Sequence, residues 1–336
     1  MSASSGAAGL PRDAARSAPG PASTAPAYAG WDVLLLVVCA GVWGVAYVFI
    51  REGIVLGASP LLFAAVRYAL SAAAFAAIAA FRHEAWPTPH GFAVSAAVGG
   101  VLVIGLYGGF LYWGEQYTAG GYASVFSTSA PILTVAFAYF LLPGERLGPR
   151  SLVGLAIGFV GVVLLVAPTL TGGPGGGWNG PAFIVAAFVT TALGSVLLRR
   201  YGGGRQGLWQ IGGQFAVAAG LLGGAAVILP VPEALPLGEG VWAALAALVA
   251  LSSVVGYFTY FALHHRVGPV RANLVTYLIP LVGVATGSGV FGEPITPWEV
   301  AGFLVVISGL TLIVRDSSKR LPRPPPATRT AEAGPP

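Results

Sequence analysis

The chain has 336 residues, of which 56% are apolar and only 9% charged, with a formal net charge of +5. A water-soluble domain carries about a quarter charged residues, so this composition excludes an ordinary soluble enzyme or binding module and makes lipid the solvent. One cysteine, Cys39, excludes an internal disulfide and any cysteine-based metal site.

Residues 1–28 are mostly Ala, Ser, Pro and Gly with two arginines. They lack an apolar stretch ahead of a cleavage site, which predicts a disordered tail rather than a signal peptide. Ten apolar segments follow, at 33–50, 61–80, 92–113, 122–142, 151–167, 181–198, 211–230, 241–262, 270–291 and 299–314. Each approaches the roughly 20 residues that a helix needs to cross a bilayer, the fifth and tenth being the shortest. Lipid offers no partner for a free N–H or C=O, so each segment is expected to be helical. Trp31, Trp86, Trp178, Trp242 and Trp298 sit at segment ends, where indole rings prefer the headgroup layer. The loop 168–180 carries six glycines and no charge and predicts a flexible linker. A basic, proline-rich tail occupies 315–336. Fifteen of the seventeen Lys and Arg residues fall on one side of this arrangement; Arg51 is on the other and Arg67 lies inside the second segment. Basic residues in short loops resist translocation, which puts both termini in the cytoplasm. The same rule accounts for the positive charge without nucleic-acid binding.

The two halves repeat. Ala119–Leu147 can be laid over Val267–Ile295, so that Ala123 matches Ala272, Pro131 matches Pro280 and Gly144-Glu145 matches Gly292-Glu293. Gly154 and Gly161 then match Gly302 and Gly309, and Arg67 aligns with Gln214. Five segments per half is an odd number, so the second half must enter the membrane from the opposite side. The fold class expected is an all-α integral membrane protein of ten transmembrane helices in two inverted five-helix repeats, 31–167 and 181–314. Many secondary transporters are built this way, because inverted halves offer two near-equivalent states open to opposite sides.

Trp43-Gly44 in the first segment, Arg67 in the second, TAGGYASVFSTSAPILT at 118–134 and Leu142-Pro143-Gly144-Glu145 resemble the EamA domain of the drug/metabolite transporter superfamily, over residues 31 to about 314. The resemblance implies a multi-pass protein of the inner or plasma membrane that exports amino acids or other small metabolites. It also implies a central cavity lined by segments 1–4 and 6–9, with 5 and 10 peripheral. Small four-helix relatives use a buried glutamate in their first span for proton exchange; Val33–Ile50 holds no acid, which puts that coupling in doubt.

Arg67 is a charge in an apolar segment, which costs roughly 2.5–3.5 kcal/mol on insertion scales. It fits either a solute carboxylate or phosphate or a structural role, bonding helix-end carbonyls and ordering the bundle. Asn273, Tyr277 and Pro280 fall at i, i+4, i+7, one helical stripe, and Ser124, Thr128 and Pro131 form its repeat partner. Pro131 and Pro280 are expected to kink their helices, either to gate the path or only to pack. Trp43, Tyr47, Tyr107, Gln214 and Tyr257 complete the expected substrate-binding set, aromatic rings with polar tips suiting a cavity for amphipathic solutes. Tyr112, Trp113 and Tyr260 are expected at the headgroups. Gly154/Gly161 and Gly302/Gly309 allow close helix approach, within the bundle or across a homodimer seam. The four histidines lie in loops or at segment ends, so no metal, cofactor or catalytic constellation is expected. The rival to a transporter is a membrane sensor or scaffold that keeps the fold without transport.

Overall fold

A computed structural model describes residues 30–142, 148–170, 178–202, 206–229, 235, 236, 238–267, 272 and 275–320, with backbone only at 166–170 and 313–320. Two expected features, Asn273 and the Gly144-Glu145 pair, lie outside the described residues, as do residues 1–28, most of the linker and the basic tail beyond Arg320.

The described chain is helical throughout: α1 (Gly30–Val55), α2 (Pro60–Phe81), α3 (Pro89–Gly114), α4 (Gly120–Leu141), α5 (Pro149–Leu170), α6 (Asn179–Tyr201), α7 (Leu208–Ile228), α8 (Glu239–Val267), α9 (Val275–Phe291) and α10 (Pro297–Arg320). Seven of these, α1–α4 and α6–α8, are long and apolar enough to cross a membrane, and α5, α9 and α10 carry shorter apolar stretches. The chain is a multi-pass membrane protein. The starts follow local chemistry. Pro60, Pro89, Pro149 and Pro297 open helices, where a missing N–H costs nothing and φ is already set. The Thr88 hydroxyl accepts from Gly91 N–H to cap α3. Helix α5 starts two residues before the expected boundary, and α10 continues to Arg320, so the basic tail starts inside a helix rather than at residue 315.

Helix pairing follows the internal repeat. Helix α1 packs on α8 and α9, as α6 packs on α3 and α4. Helix α3 lies against α7, as α8 lies against α2, while α2–α7, α4–α9 and α5–α10 are pairs that map onto themselves when the halves are exchanged. The chain ends of the helices fix the sense. Helix α1 starts where Arg266 Nε donates to Asp32 Oδ1 at 2.5 Å. At that same end Glu84 Oε1 accepts from Leu208 N–H and Arg200 donates to the Leu141 carbonyl. Helix α6 starts at the other end, its Gly180 against Tyr117 and Thr118, beside the turn where Arg51 Nη1 donates to the carbonyls of Glu115 and Gln116. The first helices of the two halves enter from opposite ends.

The α5–α10 seam lies away from the centre and is closed by the glycines singled out above. A Cβ on Gly309 would stand 2.5 Å from the Gly154 carbonyl oxygen, and one on Gly161 would stand 2.7 Å from Val306 N. These glycines pack the bundle internally.

Two departures from plain α-helix are matched between halves. Ser95–Leu106 in α3 and Leu248–Val255 in α8 are π-helical, at overlapping places in the repeat. Helix α4 tightens to a 3-10 turn over Phe126–Thr128 just before Pro131, whereas Pro280 lies inside α9. The related prolines therefore sit in different local backbones.

Candidate solute cavity

A cavity of about 250 Å³ lies at the centre, walled by α1–α4 and α6–α9 and, among the described residues, by none of α5 or α10. Trp43, Tyr47, Arg67, Tyr107 and Tyr257 line it. Five of the expected residues are thus brought together from four helices.

Arg67 sets the electrostatics. It is buried, so it does not snorkel outward. Its Nη1 donates to Tyr112 Oη and its Nη2 to Ser252 Oγ, both at 2.8 Å. The guanidinium lies 5.5 Å from the Tyr68 ring centroid and 5.9 Å from that of Tyr112, within the range of cation–π attraction. Its Nε–H has no hydrogen-bond partner among the described residues. The charge is held in place by two neutral hydroxyls.

The π-helical part of α8 supplies half of this arrangement. A wider turn displaces side chains from regular helical positions and leaves carbonyls short of internal donors. Ser252 Oγ faces Arg67, its carbonyl accepts from Trp43 Nε1 at 3.0 Å, and Ser253 Oγ accepts from Ser71 Oγ at 2.8 Å. On the opposite wall the Tyr47 and Tyr107 hydroxyls meet at 3.3 Å. Trp43 and Tyr257 pack edge to face with centroids 6.1 Å apart. The cavity therefore combines aromatic faces, several hydroxyls and one cation.

Four expected placements are corrected. Gln214 lies outside the cavity lining: its amide donates to Ser95 Oγ at 2.7 Å and to Gln206 Oε1 at 2.8 Å, so both N–H groups are used between α3 and α7. Tyr277 also lies outside the lining and packs with Ile132, Val162, Val306 and Leu310 on the α5–α10 side, while its neighbours Thr276 and Ile279 face the cavity. Tyr112 is 0% exposed and bonded to Arg67 rather than anchored among headgroups; Tyr260, likewise expected at the headgroups, lies 5.2 Å from Trp43, centroid to centroid. Sequence reasoning also missed Ser252, Ser253 and Ser71, which carry no signal as common small residues. It missed the acids at one end of the bundle too. Glu293 accepts from the N–H groups of Gly120 and Gly121 at 2.9 and 2.7 Å, where the positive end of a helix favours an anion. Gly292, at φ 68°, turns the chain so that Glu293 points back. A Cβ on Gly287 would stand 2.1 Å from Glu293 Oε2.

A repeated helical bundle around a largely apolar, membrane-embedded cavity with a few polar groups fits a protein of the solute-transporter class. The EamA-like transporter family model matches residues 30–167 and again 178–315. The chain belongs to that family. It is 28% identical to an uncharacterized transporter of Archaeoglobus fulgidus, over 85% of this chain and 98% of that protein. It is 26% identical to the uncharacterized inner membrane transporter YedA of Escherichia coli K12, over 81% of this chain and 87% of that one. A probable amino-acid metabolite efflux pump of Salmonella typhimurium is also 26% identical, over 85% of this chain and 94% of the pump. A crystal structure with 21% identity superposes with a TM-score of 0.59 and covers 88% of this chain and all of the other, which shows a shared fold.

Proposed function

We propose that this chain is a secondary transporter that carries a small carboxylate-bearing metabolite, an amino acid or a close relative, out of the cell by alternating access. On this reading it spans the inner or plasma membrane ten times, as five-helix units on either side of the 168–180 linker, with both termini in the cytoplasm. One observation carries it: a buried arginine on the wall of a cavity built by both repeats, held there by neutral hydroxyls. Arginine's planar fork suits a carboxylate, and the aromatic walls suit an apolar side chain. A volume of about 250 Å³ lies just below the roughly 300–1,000 Å³ of pockets for drug-sized ligands, which favours a small metabolite. The relative named as an amino-acid metabolite efflux pump supports both the solute class and the direction. Two inverted halves give the two end states, and the solute gradient supplies a driving force.

The test is flux in proteoliposomes with a panel of labelled amino acids, nucleosides and sugars. A carboxylate-bearing solute is expected to move, and Arg67→Lys, which keeps the charge but loses the fork, is expected to slow it at least tenfold. Transport of uncharged solutes alone, or transport by Arg67→Lys at the parent rate, overturns the assignment. No movement of any solute favours a sensor or scaffold.

A further inference from the structure

We propose, resting on the transporter reading, that Glu115 is a proton-binding site whose protonation holds the Glu293 end of the bundle shut. Glu115 ends α3 and is 0% exposed. Neither of its carboxylate oxygens has a hydrogen-bond partner among the described residues. An ionised carboxylate taken out of water without partners is strongly disfavoured, and such a group takes up a proton instead. Its place at the carbonyl end of a helix adds to the penalty on a negative charge.

The neighbours agree. From α1, Arg51 attracts the carboxylate, but its Nη1 is spent on the main-chain carbonyls of Glu115 and Gln116. Arg67 attracts it from α2, and Glu293, just past α9, repels it. Tyr47 of α1, Tyr68 of α2 and Tyr112 of α3 also feel its charge, and phenols are neutral in the physiological range. Burial outweighs the two arginines and holds the Glu115 carboxyl well above the usual carboxylate range.

Glu115 also shares a turn with the groups that close this end. Five residues on, Gly120 and Gly121 donate to Glu293, which joins α4 to α9 across the two halves. Parting that contact lets water reach Glu115. Closure then takes a proton from water at that end to form the carboxyl O–H, and opening returns it. The closed form is favoured at low pH. It loses that advantage as pH rises above the ordinary glutamate value of about 4.3 towards the raised value of the buried group. The site would tie solute movement to a proton gradient, although the first span has no acid.

Spin labels at Tyr117→Cys and Val290→Cys, on exposed positions flanking this contact, with Cys39 replaced by alanine, report its opening in the full chain. From about pH 4 to about pH 9, a range that brackets the ordinary carboxylate value, the label separation is expected to lengthen. Glu115→Gln, a neutral mimic of the protonated acid, is expected to stay short throughout. Infrared spectra of the otherwise unaltered chain should show a protonated-carboxyl band that Glu115→Gln lacks. A separation indifferent to pH, the same titration in Glu115→Gln, or a carboxylate ionised across the whole range overturns the proposal. The flux panel is read separately. A titrating separation without flux sinks the transporter reading and leaves the proton site standing, whereas flux with a pH-indifferent separation does the reverse.

Discussion

Tyr112→Phe removes a single oxygen and leaves the Arg67 guanidinium one acceptor short. The Arg67 Nη1 to Tyr112 Oη bond is 2.8 Å and both residues are buried. A hydrogen bond to a charged group contributes about 1.5–3 kcal/mol, and no water-facing route restores it here. The expected loss of stability is therefore about 1.5–3 kcal/mol, which corresponds to a shift of about 10- to 150-fold in the folding equilibrium. Tyr107→Phe is the matched control. Its hydroxyl meets only a neutral partner, Tyr47, at 3.3 Å, and interhelical bonds between neutral groups in membranes average about 0.6 kcal/mol. Cys39 makes the assay simple, because it is the chain's one cysteine and is fully buried. A thiol-reactive fluorophore then reports unfolding in detergent micelles as temperature rises. Equal melting points for Tyr112→Phe and Tyr107→Phe would refute the view that Arg67 depends on its neutral partners.

Tyr257→Ala is expected to reduce solute flux at least tenfold, while Tyr277→Ala leaves flux near the parent rate and only lowers the melting point, because the first ring lines the cavity and the second does not. The comparison is made in the same proteoliposomes. Gly309→Ala forces a methyl group to within 2.6 Å of backbone atoms of Gly154 and Gly158, and overpacking of this kind costs about 1–3 kcal/mol. Gly220→Ala, where no heavy atom lies within 4 Å, is expected to be neutral or stabilising, and thiol-labelling melts of the two variants distinguish them.

Arg67 stands out in the sequence because a charge is conspicuous among apolar residues, and its burial follows from the cost of leaving it in lipid. Trp43 and Tyr257 could be found because rings with polar tips are rare enough to single out. Gln214 looked equally suitable, but whether an amide is free depends on its partners. Here these are Ser95 on α3 and Gln206 just before α7, and 119 positions separate Gln214 from Ser95. Tyr277 was misplaced for a geometric reason. The i, i+4, i+7 stripe assigns residues to one face but does not say which face meets the cavity, and the neighbours Thr276 and Ile279 meet it instead. Glu115 lay just past the third apolar segment as drawn, so it counted as loop. Its burial comes from the way the turn into α4 folds back against α1 and α6. The π-helical turns are invisible to hydropathy, since a change in hydrogen-bond register alters no residue's polarity.

Those widened turns have a consequence for how the two halves come to differ. A π-helical stretch arises when one extra residue is accommodated in a helix without shifting its flanks. Its presence in both α3 and α8 gives each half a stretch where side chains leave the regular helical positions. The two halves use it differently, α3 setting glycines against α7 and α8 setting a serine beside Arg67.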